Sequence, residues 1–146
     1  MLKILGVVMI VLAPLLSGKE AKKEFVNAIT EKVDTVILLH IVDKEFMKRT
    51  TSAMGEVRQF SSLLAEVKKA VGAKRKTCDE VTEWGQTIPK LLSVAQLKRV
   101  DKVVLVKQRN TFFNEILNEL EKNKIAVELV DVPDDIPIPQ KKKGFF

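Results

Sequence analysis

Two cations and an amide stand together near the end of the chain, at Lys107, Arg109 and Asn110, just before a predicted helix. A helix N-terminus presents unpaired backbone N–H groups and a positive dipole, so cations beside it favour a bound anion. The alternative is a basic loop in which Asn110 or Thr111 caps its own helix. Residues 107–111 are therefore a candidate anion site.

A second segment, residues 13–20, has the spacing of a phosphate-binding P-loop without its chemistry. Ala13 stands where the first glycine would be, and Glu20 replaces the hydroxyl residue that would bind Mg²⁺. Ser17 and Glu20 instead have the spacing of a capping box, which opens a helix. The pattern predicts a helix that begins at about residue 18.

The chain has one histidine, His40, and one cysteine, Cys78. These numbers exclude an intrachain disulfide and zinc sites built from several cysteines or histidines. His40 lies in an apolar strand pattern and is interpreted as a hydrogen-bonded core residue. A Cys–His nucleophile pair would need a spatial contact that the sequence does not show. We predict no catalytic residue and no metal site, and the chain is more consistent with a binding module than with an enzyme.

Length and composition are those of one folded domain. The 146 residues are 46% hydrophobic and 30% charged, which excludes disorder as the default state. The formal net charge of +6 is concentrated in residues 44–76, which hold nine lysines and arginines against three glutamates. This basic region is either a solvated helix face or a surface for nucleic acid or an acidic partner. Nucleic acid is disfavoured because no groove-reading motif is present and aromatic residues make up only 5%.

The N-terminal segment allows two interpretations. Residues 1–18 have the charged start and apolar run of a signal peptide, and that run is too short to span a bilayer. The same run, stopped by Pro14, also fits a buried parallel strand. Because a capping box follows it, we favour the strand and expect a cytoplasmic protein without a membrane span. Export is the alternative.

Strand and helix patterns alternate after this segment. The predicted strands lie before Pro14 and at residues 33–42, 74–81, 101–106 and 125–132. The predicted helices lie at residues 18–32, 52–71, 87–99 and 111–123, with Gly72 ending the second and Thr87 capping the third. Residues 74–81 are polar and predict an edge strand, and Trp84 is expected to cover the sheet.

This alternation predicts a single-domain three-layer α/β/α sandwich with a mostly parallel five-stranded sheet over residues 1–132. A proline- and lysine-rich tail follows at residues 133–146. Ligands in such folds bind beyond the carboxyl ends of the strands. The segments expected there are residues 13–19, 42–48 and 107–111.

Three motifs, in this order, resemble the universal stress protein family. Residues 38–43 (LLHIVD) resemble the end of its second strand, residues 83–89 (EWGQTIP) its turn into the third helix, and residues 100–106 (VDKVVLV) its fourth strand. The resemblance extends from about residue 3 to residue 132. It implies an adenine nucleotide alpha hydrolase-like (Rossmann-like) fold. It also implies a homodimer paired through residues 125–132, where Ile125, Val127 and Leu129 share one face.

The chain departs from the ATP-binding members of that family at two loops. Those members carry an aspartate in the turn after the first strand; Pro14 of that turn matches, but Leu16 stands about where the aspartate would be. They also carry a glycine-rich phosphate loop after the fourth strand, whereas residues 107–110 contain no glycine. Glycine matters in such loops because the backbone N–H groups must approach phosphate closely.

The sequence therefore predicts a non-enzymatic regulatory or interaction module that lacks a cofactor and does not bind ATP in the usual way. Protein partners remain possible. The first alternative is a stress protein that binds ATP or AMP with Mg²⁺ through the reduced loop at residues 107–111. Its remnant site would comprise Pro14, Val42, Lys107, Arg109 and Asn110, with Val42 matching a backbone contact to adenine. The second alternative is nucleic-acid or acidic-partner binding through residues 44–76.

Overall fold

The structure is a computed structural model that describes residues 8–45 and 53–133, with side chains described from residue 60 onward in the second segment. Over this part of the chain, strands and helices alternate. The elements are β1 (Ile10–Pro14), α1 (Lys23–Thr30), β2 (Thr35–Val42), α2 (Ala53–Ala73), β3 (Thr77–Trp84), α3 (Thr87–Leu97), β4 (Lys102–Val106), α4 (Thr111–Lys122) and β5 (Val127–Val130). Predictions for residues 1–7, for residues 46–52 in the basic region and for the tail beyond residue 133 lie outside the described residues.

The five strands form one sheet in the order β3-β2-β1-β4-β5, and every neighbouring pair is parallel. This arrangement confirms the predicted α/β class. The sheet was predicted to be mostly parallel, and all of its strand pairs are parallel. The chain builds outward from β1 to one edge and then returns to add β4 and β5 on the other side. The order therefore reverses between β1 and β4, and ligands of such sheets bind beyond the carboxyl ends at this point.

Apolar side chains cover both faces of the sheet, as parallel strands require. Successive strand residues point to opposite faces, so β2 contributes Val36 and Leu38 to one face and Ile37 and Leu39 to the other. The first face packs against α1 and α2 through Phe25, Ile29, Leu63, Val67 and Val71. The second face packs against α3 and α4 through Leu91, Val94, Ala95, Phe113, Ile116 and Leu120.

Several predicted boundaries are wrong, each for a local reason. The second helix does not end at Gly72 but continues to Ala73. Arg75 takes the left-handed conformation instead, with φ of 60°, and its N–H donates to the Gly72 carbonyl at 2.9 Å. The edge strand β3 lies three residues later than predicted, because its eight residues pair one-to-one with β2 from Thr35 to Val42. Its position at the edge is confirmed.

No helix within residues 8–45 or 53–133 is both long enough and apolar enough to cross a membrane.

Candidate functional site

A cleft of about 410 Å³ opens beyond the carboxyl ends of β1, β4 and β5, where the strand order reverses. The loops that follow these three strands form its walls. The lining residues are Ser17, Lys19, Val106, Lys107, Gln108, Arg109, Asn110, Asp131, Val132 and Pro133. Three cations and one carboxylate among them give the cleft a net positive charge, which suits an anionic ligand.

The loop after β4 supplies two of those cations. Lys107 and Arg109 are exposed, and over residues 8–45 and 53–133 no carboxylate forms an ion pair with either of them. One backbone N–H of the loop is engaged within the chain: the Lys107 N–H donates to the Val130 carbonyl at 2.8 Å. The side chains of Lys107 and Arg109 offer a ligand positive charge.

Asn110 caps α4, as predicted. Its Oδ1 accepts the Phe113 N–H at 2.7 Å, which satisfies one of the unpaired donors of the first turn. The Asn110 carbonyl accepts the Asn114 N–H at 3.2 Å, and its Nδ2 donates to Gln108 Oε1 at 3.3 Å. The helix N-terminus at this cleft is thus partly occupied by the chain itself.

The loop after β1 contains a buried carboxylate, Glu20, which is 1% exposed. Its Oε2 accepts the N–H groups of Leu16 and Ser17 at 3.0 and 2.9 Å and the Ser17 hydroxyl at 2.8 Å. Its Oε1 accepts the Gly18 N–H at 2.9 Å. Glycine is needed at residue 18 because φ is 89° there.

The predicted helix start at about residue 18 is wrong, although reciprocal bonds of the capping-box kind form: Glu20 Oε2 accepts the Ser17 N–H, and Ser17 Oγ accepts the Lys19 N–H at 3.0 Å. Ser17 and Glu20 interact as their spacing suggests, but within the loop: α1 begins only at Lys23, after an N-cap at Lys22 without a side-chain cap bond. The carboxylate folds back onto the N–H groups that precede it. Leu16 packs against the core on the α3 and α4 face.

A second cleft of about 370 Å³ lies at the ends of β2 and β3. Its lining residues are Val42, Asp43, Lys44, Glu45, Trp84, Gly85 and Gln86. Trp84 is 65% exposed, so the prediction that it covers the sheet is wrong. It is the last residue of an edge strand. The Val42 carbonyl accepts the Gly85 N–H at 3.0 Å, so part of its hydrogen-bonding capacity is already used.

Asp43 is a structural carboxylate that the sequence reasoning missed. It is 7% exposed, and its Oδ2 accepts both the N–H and the hydroxyl of Thr87, at 2.8 and 2.9 Å. The helix α3 begins at Thr87, and its N-cap is Gln86. The prediction that Thr87 caps this helix is wrong. The aspartate that ends the strand motif at residues 38–43 was the available signal, because it directly follows a buried strand.

His40 and Cys78 do not form a pair. His40 is buried, as predicted, and its ring stacks on Phe60 with centroids 5.6 Å apart, whereas no described residue supplies the predicted hydrogen bond. Burial lowers its pKa below the usual value, which favours the neutral ring. Burial raises the pKa of the half-buried Cys78 thiol, and the nearby Glu80 carboxylate adds to this. An inert thiol is expected.

The five predicted site residues do not converge on one cleft. Lys107, Arg109 and Asn110 line the larger cleft, and Val42 lines the smaller one. Pro14 ends β1, where it is buried beside Leu39 of β2 and lines neither cleft. Among the described residues, no group of three or more histidines, cysteines, aspartates or glutamates is placed to hold a metal ion.

Solved structures with the same arrangement include universal stress proteins. The hypothetical protein MJ0577 is 18% identical, with a TM-score of 0.60 over 88% of this chain and 99% of that one. A universal stress protein in complex with cAMP is 12% identical, with a TM-score of 0.59 over 85% and 97% of the two chains. The universal stress protein from Archaeoglobus fulgidus in complex with dAMP is 12% identical, with a TM-score of 0.55 over 85% and 98%.

No family model and no curated protein sequence matches the chain. At these identities the structural likeness establishes the fold, and the resemblance read from the sequence is confirmed at that level. The chain has the fold of the universal stress proteins.

Proposed function

We propose that this protein is a universal-stress-protein-like, non-enzymatic regulatory or interaction module of the cytoplasm that does not bind ATP in the way usual for that family. The observation that carries this proposal is the loop after β4. It has no glycine between residues 107 and 110, and its side chains and backbone already cap α4 and contact β5.

Phosphate loops bind by placing several backbone N–H groups around the phosphate oxygens. In this loop the Lys107 N–H is bonded to the Val130 carbonyl, and the Phe113 and Asn114 N–H groups are bonded to Asn110. Binding a phosphate through these three N–H groups would therefore require their bonds to break. The Lys107 and Arg109 side chains supply positive charge, without the geometric selection that a glycine-rich backbone loop provides.

Calorimetric titration of the full chain with ATP and with AMP, each with and without Mg²⁺, tests this proposal. We expect no heat of binding at millimolar nucleotide. Micromolar affinity for either nucleotide would refute it. The single tryptophan gives an independent signal, because Trp84 lies in the cleft beside Val42. A base bound there would quench its fluorescence, whereas inorganic phosphate at the larger cleft would not.

The second part of the proposal is a homodimer paired through β5. This strand covers Val127–Val130, shorter than the predicted residues 125–132, and it is an edge of the sheet. Leu129 is 42% exposed on it, and Val127 is half-buried. An exposed leucine on an unpaired edge strand favours pairing with another copy.

Sedimentation velocity of Leu129→Arg tests the dimer. We expect the variant to sediment as a monomer at concentrations where the parent protein is a dimer, because the edge would then carry like charges face to face. Leu97→Arg is the matched control: Leu97 is 78% exposed but lies at the end of α3. A parent protein that is monomeric, or two variants that dissociate equally, would refute pairing through β5.

A second candidate function is nucleotide binding through the reduced loop at residues 107–111. It is favoured by the two exposed cations at the larger cleft and by the solved structures of the same fold with cAMP and dAMP. If the titration detects binding, the double variant Lys107→Ala with Arg109→Ala decides where the ligand lies. Loss of affinity would assign binding to this loop, and unchanged affinity would exclude the loop.

A further inference from the structure

The Glu20 carboxylate is buried, and no cation of residues 8–45 or 53–133 pairs with it. Only 1% of Glu20 is exposed. A buried carboxylate without compensation is strongly unfavourable, so its charge must be balanced by other groups. Here that balance comes from hydrogen-bond donors of the loop immediately before it.

These donors form a cradle for an anion. The N–H groups of the consecutive residues Leu16, Ser17 and Gly18, together with the Ser17 hydroxyl, converge on the one carboxylate at 2.8 to 3.0 Å. Successive N–H groups that point into one concavity are a recurring way for proteins to bind small anions. An ionised carboxylate has about four acceptor sites, and four donors bond it here, three at Oε2 and one at Oε1.

The cradle lies beside the larger cleft. Its loop follows β1 at the reversal of strand order, and Ser17 and Lys19 line that cleft together with Lys107 and Arg109. An anionic ligand that entered the cleft would therefore meet the cradle from outside. It would find the donors already bonded to a carboxylate of the chain.

We propose that residues 16–18 form an anion-binding cradle whose resident occupant is the carboxylate of Glu20. The loop is thereby held in its occupied form without an external ligand, and an external carboxylate or phosphate meets the cations that line the cleft and not the donors of the cradle. Removing the Glu20 side chain beyond Cβ vacates a site for a small carboxylate. This inference is independent of the proposed function, since it holds whether or not a nucleotide binds.

Chemical rescue of Glu20→Ala tests the proposal. The atoms that this substitution removes correspond to acetate, so acetate is the probe. We expect the thermal midpoint of the full-length variant to fall by about 10 °C in chloride, because several buried donors lose their acceptor. Acetate at the same ionic strength should restore at least half of that loss, with a saturating concentration dependence. Acetamide, a neutral molecule of the same shape, should restore much less.

Two matched proteins control for general effects of the salt. In Glu20→Gln the amide still fills the cradle, and in the parent protein the carboxylate does, so acetate should raise neither midpoint beyond the chloride control. Acetate that stabilised all three proteins equally, or none of them, would overturn the proposal. Rescue of Glu20→Gln as well as Glu20→Ala would overturn it too, because the acetate would then be acting elsewhere.

A measurement on the parent protein keeps the proposal testable if Glu20→Ala does not fold. In an amide-resolved NMR titration with inorganic phosphate, the resonances of Leu16, Ser17 and Gly18 should stay in place, whether or not those of residues 107–110 shift. The three loop amides should also be protected from hydrogen exchange without ligand. Phosphate-dependent shifts of the three amides with the same midpoint as residues 107–110, or their rapid exchange, would show that the cradle is open.

Discussion

The loop after β1 and the loop after β4 border the same cleft, but the first buries a charged side chain and the second exposes two. The first encloses one carboxylate, Glu20, within backbone donors and buries it. The second carries Lys107 and Arg109 exposed and directs its amide cap to its own helix. The comparison shows that a loop beside a cleft can satisfy its backbone donors with a carboxylate of its own chain, whereas the other loop places two exposed cations at the same cleft.

The largest effect on stability is expected when the charge of the side chain in the cradle is reversed. Glu20→Lys places a cation against three backbone N–H groups, where like partial charges repel and no acceptor remains. We expect the free energy of unfolding to fall by more than about 3 kcal/mol. Denaturant titration followed by circular dichroism measures this loss.

The control for that charge reversal is Glu31→Lys, because Glu31 is exposed after the end of α1. We expect a change within about 0.5 kcal/mol for this variant. Equal losses in the two variants would mean that the chain responds to net charge and not to the cradle.

A smaller loss of stability is expected from a substitution at Gly18, whose backbone conformation the cradle requires. The loop after β4 has no glycine at residues 107–110. Gly18 has φ of 89°, and a Cβ there would meet no atom within 4 Å. Gly18→Ala should therefore cost about 1–2 kcal/mol through backbone strain alone. Thermal unfolding measures it.

Gly72→Ala is the paired control for Gly18→Ala. Gly72 also has open space around the position of a Cβ, but it lies inside α2. Alanine at this helical position should stabilise the protein by roughly 0.5–1 kcal/mol. Effects of the same sign at both glycines would contradict the assignment of strain to the cradle.

The cap of the β4 loop comes next in size. Asn110→Ala removes the acceptor of the Phe113 N–H, which lies at the partly solvated start of α4, and should cost about 1 kcal/mol. Asn114→Ala removes an amide of the same kind from an exposed position within α4 and should be neutral or slightly stabilising. Equal losses of stability in the two variants would show that loss of the helix cap does not explain the effect of Asn110→Ala.

Strong periodic patterns in the sequence correctly predicted the alternating strands and helices and the parallel sheet. The runs of valine, isoleucine and leucine in β2 and β4 have to be buried on both faces, and the helices between strands require parallel pairing. The cap of α4 was predicted to be Asn110 or Thr111 and is Asn110; the prediction came this close because a cap depends on only a few neighbouring residues.

The failures occurred where one local pattern is compatible with two structures. The spacing of Ser17 and Glu20 fits both a capping box and a carboxylate that folds back onto its loop, and only the distance to α1 distinguishes them. The exposure of Trp84 goes with its place at the end of an edge strand, and strand order is set by pairing between segments distant in sequence. The candidate site was divided between two clefts for the same reason: where strand ends meet depends on strand order.

The smallest effect on stability is expected when Lys107 and Arg109 are replaced. This result would distinguish the loop after β4 most clearly from the loop after β1. Because Lys107 and Arg109 are exposed and unpaired within the described segments, replacing both with alanine should change the free energy of unfolding by less than about 0.5 kcal/mol. Any stabilisation of the parent protein by inorganic phosphate at constant ionic strength should be lost in the double variant. A large loss of stability, or unchanged stabilisation by phosphate, would mean that these side chains serve the fold and not a ligand. The two loops would then both be structural.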